Sequence, residues 1–152
     1  MKIFSQLKTL ITFIVLLSLS FCTKAKYIDL LELKIFKKVV SSADYLAKVK
    51  ITNVEIFREE DESEKHVYSA EVLATYKGKT HKKLSYEMVV EQGEDIVFNS
   101  ASIYVALCLD EKGTYYWPGT GSEFKPSLVI DTWLTENKSN VEKISTDVDW
   151  CE

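Results

Sequence analysis

Residues 45 to 57, YLAKVKITNVEIF, alternate apolar and polar side chains and then change phase. Tyr45, Ala47, Val49 and Ile51 share one face, whereas beyond Thr52-Asn53 the apolar face passes to Val54 and Ile56. Side chains of a strand repeat every two residues, so a slip of one sends all later ones to the other face unless a bulge absorbs it. The stretch is therefore predicted as one long, bent strand with a bulge near Asn53. Such a strand can serve two sides of a small barrel.

The segments around it extend the pattern. From Tyr27 to Val40, apolar residues at Ile28, Leu31, Ile35 and Val39, widened by Leu30, Leu33 and Phe36, predict an amphipathic helix that ends at Ser41-Ser42. REEDESEKH, 58 to 66, has no apolar residue and is expected as an exposed hairpin loop. Tyr68 to Tyr76 and Leu84 to Val90 alternate as second and third strands, joined through KGKTHKK, 77 to 83, with a polar loop at 91 to 102. Ile103 to Leu109 is apolar on both faces and should be the most central strand. DEKG, 110 to 113, turns it into a fifth strand, Thr114 to Trp117, which Pro118-Gly119 stops. Ser127 to Thr135 is compatible with a further strand, and 136 to 149 is a polar tail.

The first 25 residues read as an export leader. Lys2 and Lys8 precede a twelve-residue apolar core, Leu10 to Phe21, and no acid occurs before Asp29. That core is short for a spanning helix, although an uncleaved anchor is the alternative. Thr23-Lys24-Ala25 offers small residues at the two positions a signal peptidase reads, so cleavage is expected after Ala25. Lipid attachment at Cys22 is the competing fate, but bulky Phe21 stands where a small residue is wanted. Without the leader the chain has 16 basic against 23 acidic residues, which disfavours nucleic acid and anionic membranes as main partners. Two cysteines remain, Cys108 and Cys151. In an exported chain they suggest one disulfide, with two free thiols as the alternative.

Taken in order, the helix leading to Ala43-Asp44, the long bent strand, the strand ending in ATYKG and the hairpin IYVALCLDEKGTYY form a recognisable succession. It resembles the OB-type barrel of the tissue inhibitor of metalloproteinases superfamily, especially its small exported bacterial relatives, over residues 27 to about 125. The resemblance implies a mainly β fold: a five-stranded OB-type barrel with an N-terminal amphipathic helix and a C-terminal extension. The division is then residues 1–25 as signal peptide, 26–135 as barrel, and 136–152 as a tail tethered by a disulfide. NTF2-like and lipocalin-like folds are the rivals. Inhibitory members place a cysteine at the mature amino terminus, where its amine and carbonyl chelate the protease's zinc. Cys22 would supply one only if the chain were cut before it.

Signals for catalysis are sparse. His66 and His81 fall in charged loops, where solvation is the plain expectation. GTGSE, 119 to 123, presents Ser122 without the closing glycine of a nucleophile elbow. The acids Glu59, Glu60, Asp61, Glu62 and Glu64 lack the ligand spacing of a calcium loop. Lys77, Lys79, His81, Lys82 and Lys83 form a basic turn without interleaved aromatics. Tyr115, Tyr116 and Trp117 are the candidate recognition surface, since such side chains pack at one end and meet a partner at the other. The reading is an exported, periplasmic or secreted, non-catalytic binding module. No cofactor, metal or stable membrane insertion is expected, and another exported protein is one candidate partner. A metalloproteinase inhibitor and a small hydrolase are the alternatives.

Overall fold

The computed structural model describes residues 28–58, 63–93, 101–144 and 150–151. The chain divides into two compact units, residues 1–34 and 35–152. In the first, the described residues, 28–34, are helical. In the second, residues 35–42 are the remaining turns of that helix (α1, 28–42), and Phe36, Val39 and Val40 are buried. Ile35, placed on the apolar stripe by the sequence, is exposed.

Four strands follow: β1 (Tyr45–Arg58), β2 (Ser63–Lys77), β3 (Lys83–Glu91) and β4 (Ser102–Leu109). Two-residue strands β5 (Tyr115–Tyr116) and β6 (Glu123–Phe124) complete the sheet. Its order is β1-β2-β3-β5-β4-β6, and β1 pairs with β4 as well, so five strands close into a ring. Among the described residues only the β3–β5 contact is parallel. The change of phase in β1 is visible in its register. Ile51 faces Ala70 and Asn53 faces Ser69, which leaves Thr52 as the extra residue. Beyond it β1 leaves β4, whose pairing with β1 covers only Tyr45 to Lys50.

Alternation decides what fills the ring. Tyr45, Ala47, Val49 and Ile51 of β1 point inward to meet Ala70, Leu84, Tyr86, Val105 and Leu107. The opposite face of β4 is buried as well, because residues 35–42 and the later segments cover Tyr104, Ala106 and Cys108. Phe36 sits at the centre of that second layer, edge-on to Tyr104, Phe124 and Trp133 at 5.0 to 5.9 Å between ring centroids.

The Ser127–Thr135 strand expectation is overturned: Leu128–Asn137 is a helix, α2. Its buried residues are Ile130, Trp133 and Leu134, the i, i+3, i+4 spacing of one helical face, whereas Leu128 is 85% exposed. The apparent alternation of Leu128 and Ile130 misled because only one of them meets the core. α2 also crosses the expected start of the tail at 136. A 3₁₀ turn, Val141–Lys143, follows with Val141 buried, so this part of the tail is packed down. Cys108 and Cys151 form a disulfide.

The markers Ala43-Asp44 and Lys77-Gly78 meet at one junction. Gly78 has φ +80°, and a Cβ there would lie 2.8 Å from the Asp44 carbonyl oxygen. Lys77 extends its ammonium to the carbonyls of Val40, Ser41 and Ile144 at 3.0 to 3.5 Å. A helix leaves its last carbonyls unpaired and its C-terminus partly negative, so a cation there answers both needs. Burial pulls the Lys77 pKa down, partly opposed by the charges of Asp44 and Glu142. Asp44 in turn accepts from the Leu109 amide at 2.9 Å.

Candidate functional site

The bulge at Thr52 shapes the outer surface of β1, β2 and β3. The register sets Ser69 of β2 beside Asn53 and opposite Ser85 of β3, so small side chains run across the sheet. Long side chains stand in the adjoining row, where Glu71 lies opposite Lys83 and Lys50. A dip in the sheet results, because the short row sits below the long one. It is a groove of about 680 Å³ lined by Thr52, Ser69, Ala70, Glu71, Lys82, Lys83, Leu84 and Ser85. That volume is within the range of small-molecule sites.

The groove is fixed by backbone contacts. Thr52 donates its hydroxyl to the Ser69 carbonyl at 3.0 Å, pinning the bulge. The Val72 amide donates to the Lys82 carbonyl at 3.1 Å, which holds the turn after β2 against the sheet. Lys82 and Lys83 are exposed, and neither has an ion-pair partner within 4.0 Å among the described residues. The basic turn read from the sequence is thereby divided. Lys77 caps α1, His81 stands 3.2 Å from the Tyr115 hydroxyl, and Lys82 and Lys83 line the groove.

Tyr115, Tyr116 and Trp117 do not present a single face. Tyr115 packs on Tyr45 at 4.8 Å between centroids and on His81 at 5.6 Å, and burial pushes its hydroxyl pKa up. Trp117 also packs against the core of the ring, its indole nitrogen buried without a hydrogen-bond partner among the described residues. Tyr116, between them, is half-buried and lies opposite Cys108 and Glu87. As a strand requires, successive members of the trio face opposite ways, so Tyr115 and Trp117 share the inner face.

His66 corrects the expectation of a solvated loop. It lies on β2, 2% exposed, with its Nε2 3.3 Å from the equally buried Glu64 carboxylate. Both belong to the inner face that continues through Tyr68 and Ala70, so a charged segment became the buried end of a strand. Arg58 approaches the other Glu64 oxygen at 3.7 Å. Beyond this pair, Tyr68 stacks on Tyr86 at 5.0 Å, and the Tyr86 hydroxyl donates to Glu123 at 3.0 Å. Burial raises the Glu123 pKa, and the Tyr86 hydrogen bond works against that rise.

Ser122 is buried and donates its hydroxyl to the Gly119 carbonyl at 2.5 Å, while its own carbonyl accepts from Ala106. Its contacts are thus those of a turn. Asp44 comes within 4.8 Å of the sulfurs of Cys108 and Cys151, which are joined to each other and so not open to a metal as thiolates in this form. Glu59, Glu60, Asp61 and Glu62 lie outside the described residues, as do Cys22 and the expected cut after Ala25. Among the described residues no helix is long and apolar enough to cross a membrane. No family model matches this sequence, and no curated protein matches it either.

Proposed function

We propose that this protein is an exported, non-catalytic binding module built on an OB-type barrel, with its ligand held in the β1–β2–β3 groove. The order in which five strands close, β1-β2-β3-β5-β4 and back to β1, supports the barrel reading, as does the bulged first strand shared between two neighbours. Barrels of this kind bind on the face of strands two and three, which is an analogy from fold. The observation that carries the reading is the groove itself, where Lys82 and Lys83 against Glu71 leave one positive charge in excess. The disulfide supports export, since such bonds persist in oxidising compartments. Kinship with the inhibitor superfamily belongs to the same proposal and rests on the junction of Asp44 with Lys77-Gly78 and on the β4–β5 hairpin.

The test is a fragment screen by amide chemical shift on the purified exported protein. Binders are expected to move the amides of Thr52, Ser69, Lys83 and Ser85. Shifts gathered instead around Tyr116 to Gly121 would move the site to the β5–β6 turn. Mass spectrometry of the same sample reads its amino terminus: a start at Lys26 is expected, whereas a start at Cys22 would revive the chelating terminus.

A further inference from the structure

The chemistry of the groove narrows what it would hold. Its charged side chains are Lys82, Lys83 and Glu71, which leaves one positive charge in excess. Its opposite wall carries three hydroxyl residues, Thr52, Ser69 and Ser85, whereas Ala70 and Leu84, which complete the lining, turn their side chains into the core of the ring. Thr52 spends its proton on a backbone carbonyl, but the side-chain hydroxyls of Ser69 and Ser85 have no hydrogen-bond partner among the described residues. Each is free to donate once and accept twice.

A binding site for bare phosphate is normally assembled from arginine forks or converging backbone amides. Neither is present here. The chain's single arginine, Arg58, stands against Glu64, and the groove lies along strands whose amides are engaged in the sheet. Hydroxyls in a row beside ammonium groups instead match a flat, hydroxyl-bearing ring with one carboxylate. Two lysines meet the carboxylate, and Ser69 and Ser85 exchange hydrogen bonds with ring hydroxyls, while the side chains of Ala70 and Leu84 stay in the core on the other side of the sheet.

We propose that the groove of Thr52, Ser69, Lys82, Lys83 and Ser85 binds an acidic saccharide, a hexuronate unit of an anionic polysaccharide. This rests on the groove being the ligand site. Charge complementarity sets the class: Lys82 and Lys83 against Glu71 leave one positive charge in excess, which a neutral sugar leaves unanswered and a single carboxylate per ring matches.

The experiment titrates the purified exported protein, at low salt and again at about 0.5 M, with three probes followed by amide chemical shifts. The probes are a hexuronate trimer, the neutral hexose trimer of the same linkage, and inorganic phosphate. The uronate trimer is expected to move the amides of Thr52, Ser69, Lys83 and Ser85, to bind about tenfold more tightly than the neutral trimer, and to weaken at high salt. Lys82→Gln with Lys83→Gln should cost about tenfold for the uronate and leave the neutral trimer unchanged. Both lysines are exposed, so the double variant keeps the fold, which circular dichroism verifies. Equal binding of the neutral trimer overturns the acidic class while leaving the groove as the site. Phosphate binding as tight as uronate overturns the saccharide. Failure of the uronate to move the groove amides overturns the proposal, and the fragment screen then judges the groove separately. A Ser85→Tyr variant fills the groove, and undiminished uronate binding to it would overturn both readings together.

Discussion

Gly78 and Tyr45 show how single residues set the limits of this fold. Gly78→Ala forces a side chain into positive φ and against the Asp44 backbone, which cannot retreat because its amide is bonded to Leu107. A loss of about 2–4 kcal/mol is expected in urea unfolding. Glycines 93, 113, 119 and 121 also have positive φ but meet nothing within 4 Å. Tyr45 behaves oppositely. Burial raises its pKa and nearby Thr75 favours the ionised form, yet both hydroxyls are buried without a hydrogen-bond partner among the described residues. Tyr45→Phe removes one unanswered polar group and keeps the ring packing on Tyr115. The thermal midpoint of that variant should stay level or rise. Phe36→Ala, by contrast, empties the centre of three edge-on aromatic contacts and should cost about 3–5 kcal/mol.

Elements are held to one another by a few long-range ties. Lys77 joins the end of α1, the end of β2 and the 3₁₀ turn through three carbonyls. Lys77→Met keeps the length of the side chain but leaves those carbonyls unanswered, so a loss of about 1–3 kcal/mol is expected. Lys82→Met, in the adjacent turn, should stay within about 0.5 kcal/mol. The comparison separates a capping lysine from a groove lysine by unfolding alone. The disulfide ties the last residues to β4 across a sequence separation of 43. Chain entropy gives that closure about 4 kcal/mol, and reduction should lower the unfolding free energy by that order. Much of this was legible beforehand. Strands β1 to β5, the Asn53-region bulge and the cysteine pair follow from alternation and from the parity of cysteines, whereas the two-residue β6 carries no such signal. α2 did not, because two apolar residues spaced by two fit a strand and a helix equally well, and only burial of Trp133 and Leu134 distinguishes them.

For the whole molecule, the tyrosines dictate behaviour in alkali. Burial raises the pKa of Tyr45, Tyr86, Tyr104 and Tyr115, with Glu123 adding to the shift at Tyr86 and a hydrogen bond to Asp131 adding to it at Tyr104. A phenol whose folded pKa lies above its unfolded value of about 10 lends stability that is complete below that value. The contribution is lost as pH rises toward the folded pKa, because the unfolded chain has already released the proton. Lys77 acts in the other direction. Its folded pKa is depressed, so stability gains as pH climbs from that value to the unfolded one. Four phenols outweigh one ammonium, so urea midpoints should fall between about pH 10 and 12. Tyr86→Phe should flatten that fall.

What the sequence alone determined is what local periodicity and composition can carry. It specified the succession of strands along the chain, the bend in β1, the burial of both faces of β4 and the pairing of the two later cysteines. Tertiary structure decided the rest, because those features depend on which neighbour an element meets. A charged stretch became the inner end of β2 with His66 buried, since β1 extends far enough to pair with it. The basic turn was split between a helix cap, an aromatic contact and a groove wall. The aromatic trio, read in the sequence as part of a fifth strand, was divided between its two faces, and tertiary packing put Tyr115 and Trp117 on the inner one. The groove has no sequence motif, since it is made by a bulge on one strand aligning short side chains contributed by two others. Distances across a sheet are set by register, and register is a property of the folded ring.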